Sequence, residues 1–315
     1  MKSYNLKNLL SLSFLSGLLL IIGCKEQNQQ KEGLLESKVL SENTTPKKVL
    51  SQNFKDYWYA GNAEITTYEL EEARYGEMRQ GKSVLIYVTE PFLAKEQVKA
   101  DEHHNDNIPV LKLNSTKNFI TGIYPYSIMS SCFYPVWDSQ HAVKVVTSIQ
   151  EWCGQQYIQL NNRTDFEVVS HSYFEGEADQ SLRLPKEILE DELWTKIRID
   201  PNNLPKGNLR CIPSMEYIKL NHKELKAYDA TISLNNENGL STYEIDYPDL
   251  QRSLKITFST AFPYTIESWS ETAPSGFGPT AKILTSTSKK IKTITTAYWQ
   301  ENKNSDLFLR DTLGL

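Results

Sequence analysis

The stretch AVKVVTSIQEWCGQQYIQLNNRTDFEVVSHSYFE, residues 142–175, decides how the chain is read. From Ala142 to Trp152, Val143, Val145, Thr147, Ile149 and Glu151 fall on one side. Lys144, Val146, Ser148, Gln150 and Trp152 fall on the other. A period of two marks an extended strand, because successive side chains point to opposite faces. Gln156 to Leu160 reads as a second strand, with Gly154 at the break, and Asn161 to Asp165 supplies turn chemistry. Phe166 to Glu175 alternates again, so the stretch is a three-stranded meander.

The same stretch holds Trp152-Cys153-Gly154. Redox motifs of this type carry a second Cys three residues on, where this chain has Gln156. A papain-like nucleophile needs a helix N-terminus and partner His and Asn residues, whereas this Cys ends a strand. Cys153 is expected to be an ordinary strand residue facing away from Trp152.

Outward from the meander the pattern persists. Glu72–Arg79 and Lys82–Thr89 flank Gln80-Gly81, which reads as a tight turn. Ala227–Leu234 and Thr242–Tyr247 flank Asn235–Gly239, and Ser253–Phe258 follows. Lys282–Ser288 and Lys292–Tyr298 read as two late strands. One helix is expected over Pro185–Arg198, with Leu189, Leu193 and Ile197 on one face and Glu190, Asp191 and Glu192 toward solvent. Short helices are also expected at Glu90–Lys99 and Ser305–Leu313. Sequential strands without a βαβ rhythm predict a mainly β fold. Its form is a large curved antiparallel sheet, a half-barrel or β-clam, with one or two short helices. A sheet of many strands must close or wrap something to bury its apolar face.

The N-terminus gives the expected location. Lys2 and Lys7 precede an apolar run from Leu9 to Ile22, too short to span a bilayer but suited to a signal peptide. It ends in Leu20-Ile21-Ile22-Gly23-Cys24, which resembles a bacterial lipobox. The resemblance implies removal of residues 1–23, lipidation of Cys24 and membrane attachment by acyl chains. Lys25 rather than Asp follows Cys24, which points to the outer membrane. Residues 24–52 read as a polar tether and 53–315 as the globular domain.

The formal charge is −5, and loss of Lys2 and Lys7 with the leader makes it more negative. With no basic block, nucleic-acid binding is not expected. Cys132, Cys153 and Cys211 leave one disulfide open without selecting a pair. Glu102-His103-His104-Asn105-Asp106 is the densest set of metal-type ligands, but adjacent His side chains suit one ion poorly, so no metal or cofactor is expected. Pro274–Gly278 is a Gly-rich turn, and no nucleophile elbow or phosphate loop occurs. Aromatic residues are the distinctive feature. Tyr124, Tyr126, Trp137, Trp152, Tyr264 and Trp269 are the candidate ligand-binding residues, suited to a cavity wall or to stacking on sugar rings.

Several blocks resemble a family of lipoproteins from flavobacteria and their relatives. They are YWYAGNAEITTYELEEARYGE (57–77), NFITGIYPYSIM (118–129), QEWCGQQYIQLNNR (150–163), SHSYFEGEADQ (170–180) and SGFG (275–278). Members of that family often bear the label septum formation inhibitor Maf, and the resemblance implies no established activity. The Maf nucleotide pyrophosphatases use a Ser-x-Ser-x-Arg-Arg loop, whereas this chain contains no Arg-Arg. At the level of fold the pattern is also similar to the β-clams of envelope lipoprotein carriers. The function expected is non-enzymatic binding of a lipid or glycolipid in a concave, aromatic-rich face. A structural role in an envelope complex is the alternative.

Overall fold

The computed structural model describes residues 49–137 and 141–315; the leader, Cys24 and most of the tether lie outside the described residues. The first half of the sheet runs β1 (Ala63–Arg74), β2 (Glu77–Leu93), β3 (Val98–Lys99), β4 (Asn107–Thr121) and β5 (Tyr124–Pro135). The meander follows as β6 (Lys144–Glu151), β7 (Gly154–Asn162) and β8 (Phe166–Ser172), then β9 (Gln180–Leu184) and β10 (Ile188–Leu189). The second half contains β11 (Gly207–Ile212), β12 (Tyr228–Glu237), β13 (Leu240–Tyr247), β14 (Arg252–Ser259), β15 (Ile266–Ser275) and β16 (Lys282–Thr296). Four short helices accompany them: α1 (Gln52–Trp58), α2 (Glu190–Ile199), α3 (Met215–Leu220) and α4 (Phe308–Leu313).

These strands form one large curved sheet that does not close. It runs from β10 through β11 to β16, crosses to β1, and continues to β9, with β3 pairing β2 off this path. Neighbours are antiparallel except for the two-residue parallel pair of β10 and β11. The edge strands β9 and β10 are consecutive in sequence, separated only by Pro185-Lys186-Glu187. Such a link spans at most about 14 Å from Leu184 to Ile188 when fully extended, at roughly 3.5 Å per residue. The sheet must therefore bend far enough to bring its two edges close. Pro185 has no N–H to donate at that seam.

The chain enters the concavity immediately after β10. Leu193 and Ile197 of α2 are fully buried in the main apolar cluster with Leu113, Cys132, Val145 and Ile245. Each such side chain contributes about 1.5–3 kcal/mol of burial. Glu190, Asp191 and Glu192 are buried too. The solvent-facing placement expected for these acids is thus wrong, because the curved sheet surrounds the helix. The helix also starts later than Pro185, since Ile188 and Leu189 pair with Cys211 and Ile212 first.

Other differences have local causes. The first hairpin turns at Tyr75-Gly76, both with positive φ, rather than at Gln80-Gly81. Gly81 lies inside β2, where a Cβ would fall 2.3 Å from the Asn118 carbonyl oxygen and 2.8 Å from the Phe119 Cβ. It marks a close approach, not a turn. The two late strands are one, β16, kinked where Thr67 pairs Lys292 and Tyr68 pairs Lys290, leaving Ile291 as the extra residue. Residues 90–99 hold the end of β2, a turn and β3 instead of a helix. The C-terminal helix is present as α4. Ser51 and Ser214 each accept a backbone N–H in the first turns of α1 and α3, two helices not read from the sequence.

A polar cleft between the sheet and the interior helices

The six aromatic candidates separate into distinct settings. Trp269 faces the concavity, buried, with Tyr68 at 4.6 Å and Trp194 of α2 edge-on at 5.3 Å. Trp137 and Tyr264 pack partly buried against the main core cluster. Tyr126 is buried near the turn end of β4 and β5, stacked on Phe119 at 4.9 Å and sharing a 2.6 Å hydrogen bond with the Tyr75 hydroxyl. Tyr124 lies beside it and reaches Trp152 at 6.3 Å. Trp152 is 69 % exposed. Trp152 and Cys153 form the two-residue turn between β6 and β7, so they lie beyond the strand rather than on its two faces. Gly154, expected at a break, opens β7, and a Cβ there would fall 2.3 Å from the Tyr173 ring.

The concave face holds a feature that the aromatic reading did not include. Ion-pair systems are buried there, among them two that hold α2 and one that holds α3. Arg198 donates to both carboxylate oxygens of Glu64 on β1 (2.7 and 2.6 Å) and to the Pro263 carbonyl (2.8 Å). Its guanidinium stacks on Tyr87 at 4.6 Å and Trp58 at 5.0 Å. Arg252 on β14 donates to Glu190 (2.5 and 2.7 Å) and to Glu271 on β15 (2.9 Å). Lys117 on β4 bridges Glu216 of α3 (2.7 Å) and Glu72 of β1 (3.5 Å). Buried charges are retained only where partners and hydrogen bonds replace water.

The second and third systems meet at a narrow cleft of about 60 Å³, lined among others by Lys117, Asp191, Trp194, Glu216, Trp269 and Glu271. That volume holds a few water molecules, at about 10–15 Å³ each on this measure. Apolar walls come from Leu85, Leu113 and Leu254, and the polar wall includes Ser115 and Ser214.

The cleft is rich in acid. Glu72, Glu190, Asp191, Glu216 and Glu271 gather around two cations, Lys117 and Arg252. Burial pushes Glu72 up to about 7 despite the neighbouring Lys117. Burial likewise pushes Asp191 up to about 7, opposed by the Met215 N–H that it accepts at 3.0 Å. Burial works against the charged form of Lys117, but Glu216, Glu72 and Glu271 hold it above its ordinary value. Burial likewise raises Glu271, and Arg252 outweighs it to leave the carboxyl lowered. The site therefore combines carboxylate acceptors, a fixed ammonium and two indole rings.

Three of the hydroxyls around the cleft have structural partners. Ser214 caps α3, Ser131 donates to Asn114 at 2.7 Å, and Ser130 pairs with Thr147 at 2.9 Å. Burial keeps the Cys132 thiol protonated, well above its ordinary value. No cluster of three metal-type ligands occurs among the described residues. Cys132, Cys153 and Cys211 are all free thiols. His171, on β8, stacks with Tyr157 and pairs with Asp179 at 3.1 Å.

Sequence reasoning missed Lys117, Glu216 and Glu271 and placed Asp191 toward solvent, yet part of the signal was present. Along β4, Leu113, Ser115 and Lys117 alternate in one phase, and along β1 so do Glu64, Thr66, Tyr68, Leu70 and Glu72. Charged residues in phase with buried apolar ones on a strand mark inward-facing ions.

No family model matches the chain, and no curated protein matches it. Among solved structures, the chain is similar to a β-barrel-like protein of the domain of unknown function DUF1849 from Brucella abortus, at 7 % identity and a TM-score of 0.43, over 74 % of this chain and 98 % of that one.

Proposed function

We propose that the domain is a binding module whose concave cleft takes the polar head of an amphipathic molecule. The observation that carries this reading is the Lys117–Glu216–Glu72 bridge set beside the Trp194–Trp269 pair. Acceptor-rich walls favour a head that donates hydrogen bonds, an amine or the hydroxyls of a sugar. The indoles and leucines suit the apolar part adjoining that head. The small volume means that α3 must shift outward, or the apolar tail must stay outside, when a lipid or glycolipid binds.

The reading includes attachment to the outer membrane by acyl chains on Cys24, supported by the basic, apolar and lipobox-like order of residues 2–24. Incorporation of labelled palmitate, lost in Cys24→Ser, tests attachment. For the cleft, tryptophan emission is followed while a short alkylamine or an alkyl glucoside is added. Saturable change in the wild type, weakened at least tenfold in Glu216→Gln, is expected. An unresponsive emission together with a ligand-free mass spectrum of gently purified protein would refute the proposal.

A further inference from the structure

The convex face of the sheet carries larger spaces than the concave one. Ile65 on β1, Val84 and Ile86 on β2 and Ile294 on β16 form an apolar stripe there, opposite in phase to the inward Leu85 and Tyr87. The chain after β16 folds back over this stripe. Leu313 of α4 is buried in it, and its carbonyl accepts the Thr67 hydroxyl at 2.6 Å. The cover is incomplete. A groove of about 460 Å³ runs between the C-terminal segment and the stripe. A second of about 550 Å³ continues over β2, β4 and β5 past Ile120 and Pro125. Arg310 and Leu315 line both. Spaces of this size bury small ligands, typically in roughly 300–1,000 Å³.

The charge at the junction selects the ligand. The acids along the groove are hydrogen-bonded to neutral donors within residues 296–306. Glu301 accepts the Thr296 hydroxyl at 2.5 Å, and Asp306 accepts the Lys303 N–H at 3.0 Å and the Ser305 hydroxyl at 3.2 Å. The Lys82 ammonium is paired with Glu69 at 2.6 Å. Arg310, where the two grooves meet, has no ion pair or side-chain hydrogen bond among the described residues. A free guanidinium beside an apolar trough presents a planar fork of donors to a carboxylate or phosphate.

We propose that the groove under the C-terminal segment is a second ligand site, separate from the concave cleft, which holds one acyl chain with its anionic head on Arg310. The test uses the Cys24→Ser chain, so that no acyl group on that residue competes. Laurate below its micellar concentration and dodecanol are titrated by calorimetry. Laurate is expected to bind more tightly than dodecanol. Arg310→Ala should weaken laurate about tenfold and leave dodecanol unchanged. Thr116→Trp, which fills the groove floor, should weaken both. Flotation with phosphatidylglycerol vesicles distinguishes the source of the chain: Arg310-dependent flotation assigns a bilayer lipid, and laurate binding alone assigns a free fatty acid. Laurate binding that ignores Arg310→Ala, or that disappears in Lys117→Met instead, would overturn the assignment.

Discussion

Arg252 and Glu190 meet through two hydrogen bonds of 2.5 and 2.7 Å, although 62 residues separate them and both side chains are buried. Tyr247 adds a third contact, donating to Glu190 at 2.8 Å. Glu190 opens α2, and Arg198 near its other end grips Glu64 on β1. The interior helix is therefore clamped at one end to the strands of the second half and at the other to the first strand. The sheet supplies apolar contact to Leu193 and Ile197, and the two clamps fix the helix along its axis.

The first prediction concerns this clamp. Arg252→Ala leaves the buried Glu190 without its cation, and removal of one partner of a buried pair costs about 3–5 kcal/mol. Replacing Arg252 and Glu190 together, as Arg252→Met with Glu190→Leu, removes the Glu190 charge and leaves only the partly exposed Glu271 carboxylate without its cation, so it should recover much of that loss. Urea unfolding of the single and double variants checks it. Equal destabilisation in both would show that packing, not charge, holds the end of α2.

The second concerns pH. Glu72 and Asp191 have folded values near 7, above those of an unfolded chain. The folded state then holds more protons than the unfolded one between about pH 4 and pH 7. Stability must fall as pH rises through that window, by about 1.4 kcal/mol per pH unit for each carboxyl. Glu64 and Glu271 are lowered, Arg198 and Arg252 respectively outweighing burial, so their contributions run oppositely and are lost as pH falls through the acid range. The Glu72→Gln/Asp191→Asn variant should gain stability relative to wild type at pH 8 and lose that advantage at pH 5. Midpoints in urea at the two pH values provide the measurement. An identical pH dependence in both proteins would exclude these carboxyls as its source.

A third prediction follows from Gly81. A methyl group there meets the Asn118 carbonyl and the Phe119 Cβ inside a paired strand, where neither is the flexible end of a side chain. Gly81→Ala should cost at least about 2 kcal/mol, as steric insertions into packed structure do. Gly176 has open space around its Cβ position, so Gly176→Ala serves as the neutral control. Thermal melts of the two variants separate the outcomes.

These three sites show what was legible in the sequence. The meander was, because Val145, Thr147 and Ile149 alternate without interruption and 161–165 is turn-forming. The mainly β class and curved sheet followed from repetition of that pattern. The burial of Glu190 to Glu192 was not, because three successive acids on a helix look solvated unless the sheet is known to wrap around them. Gly81 misled for a related reason: glycine marks turns and close approaches alike, and only the position of Asn118 across the ladder distinguishes them. The aromatic candidates were chosen by residue type, which does not reveal facing. Trp269 lines the cleft, while Trp152 crowns a turn, and Lys117, a cation lining the cleft, drew no attention on a strand of mixed polarity.

The last prediction returns to that turn. Cys153 is exposed at the tip between β6 and β7, whereas Cys132 and Cys211 are buried. Its backbone N–H donates to the Glu151 carboxylate at 2.7 Å, and the hydrogen bond from its thiol to that same carboxylate raises the thiol above its ordinary value. A raised value means little thiolate at neutral pH, the opposite of what a nucleophilic or redox cysteine requires. Access and reactivity thus point in different directions. In a Cys24→Ser background, one thiol should react with a disulfide reagent in the folded protein, slowly at pH 7 and faster as pH rises. The other two should react only on unfolding. Cys153→Ser should abolish the native reaction without shifting the melting temperature, since an exposed turn side chain adds little to stability. Glu151→Gln should speed the reaction at pH 7 by removing the charge that opposes the thiolate. If that substitution leaves the rate unchanged, the carboxylate does not control the thiol.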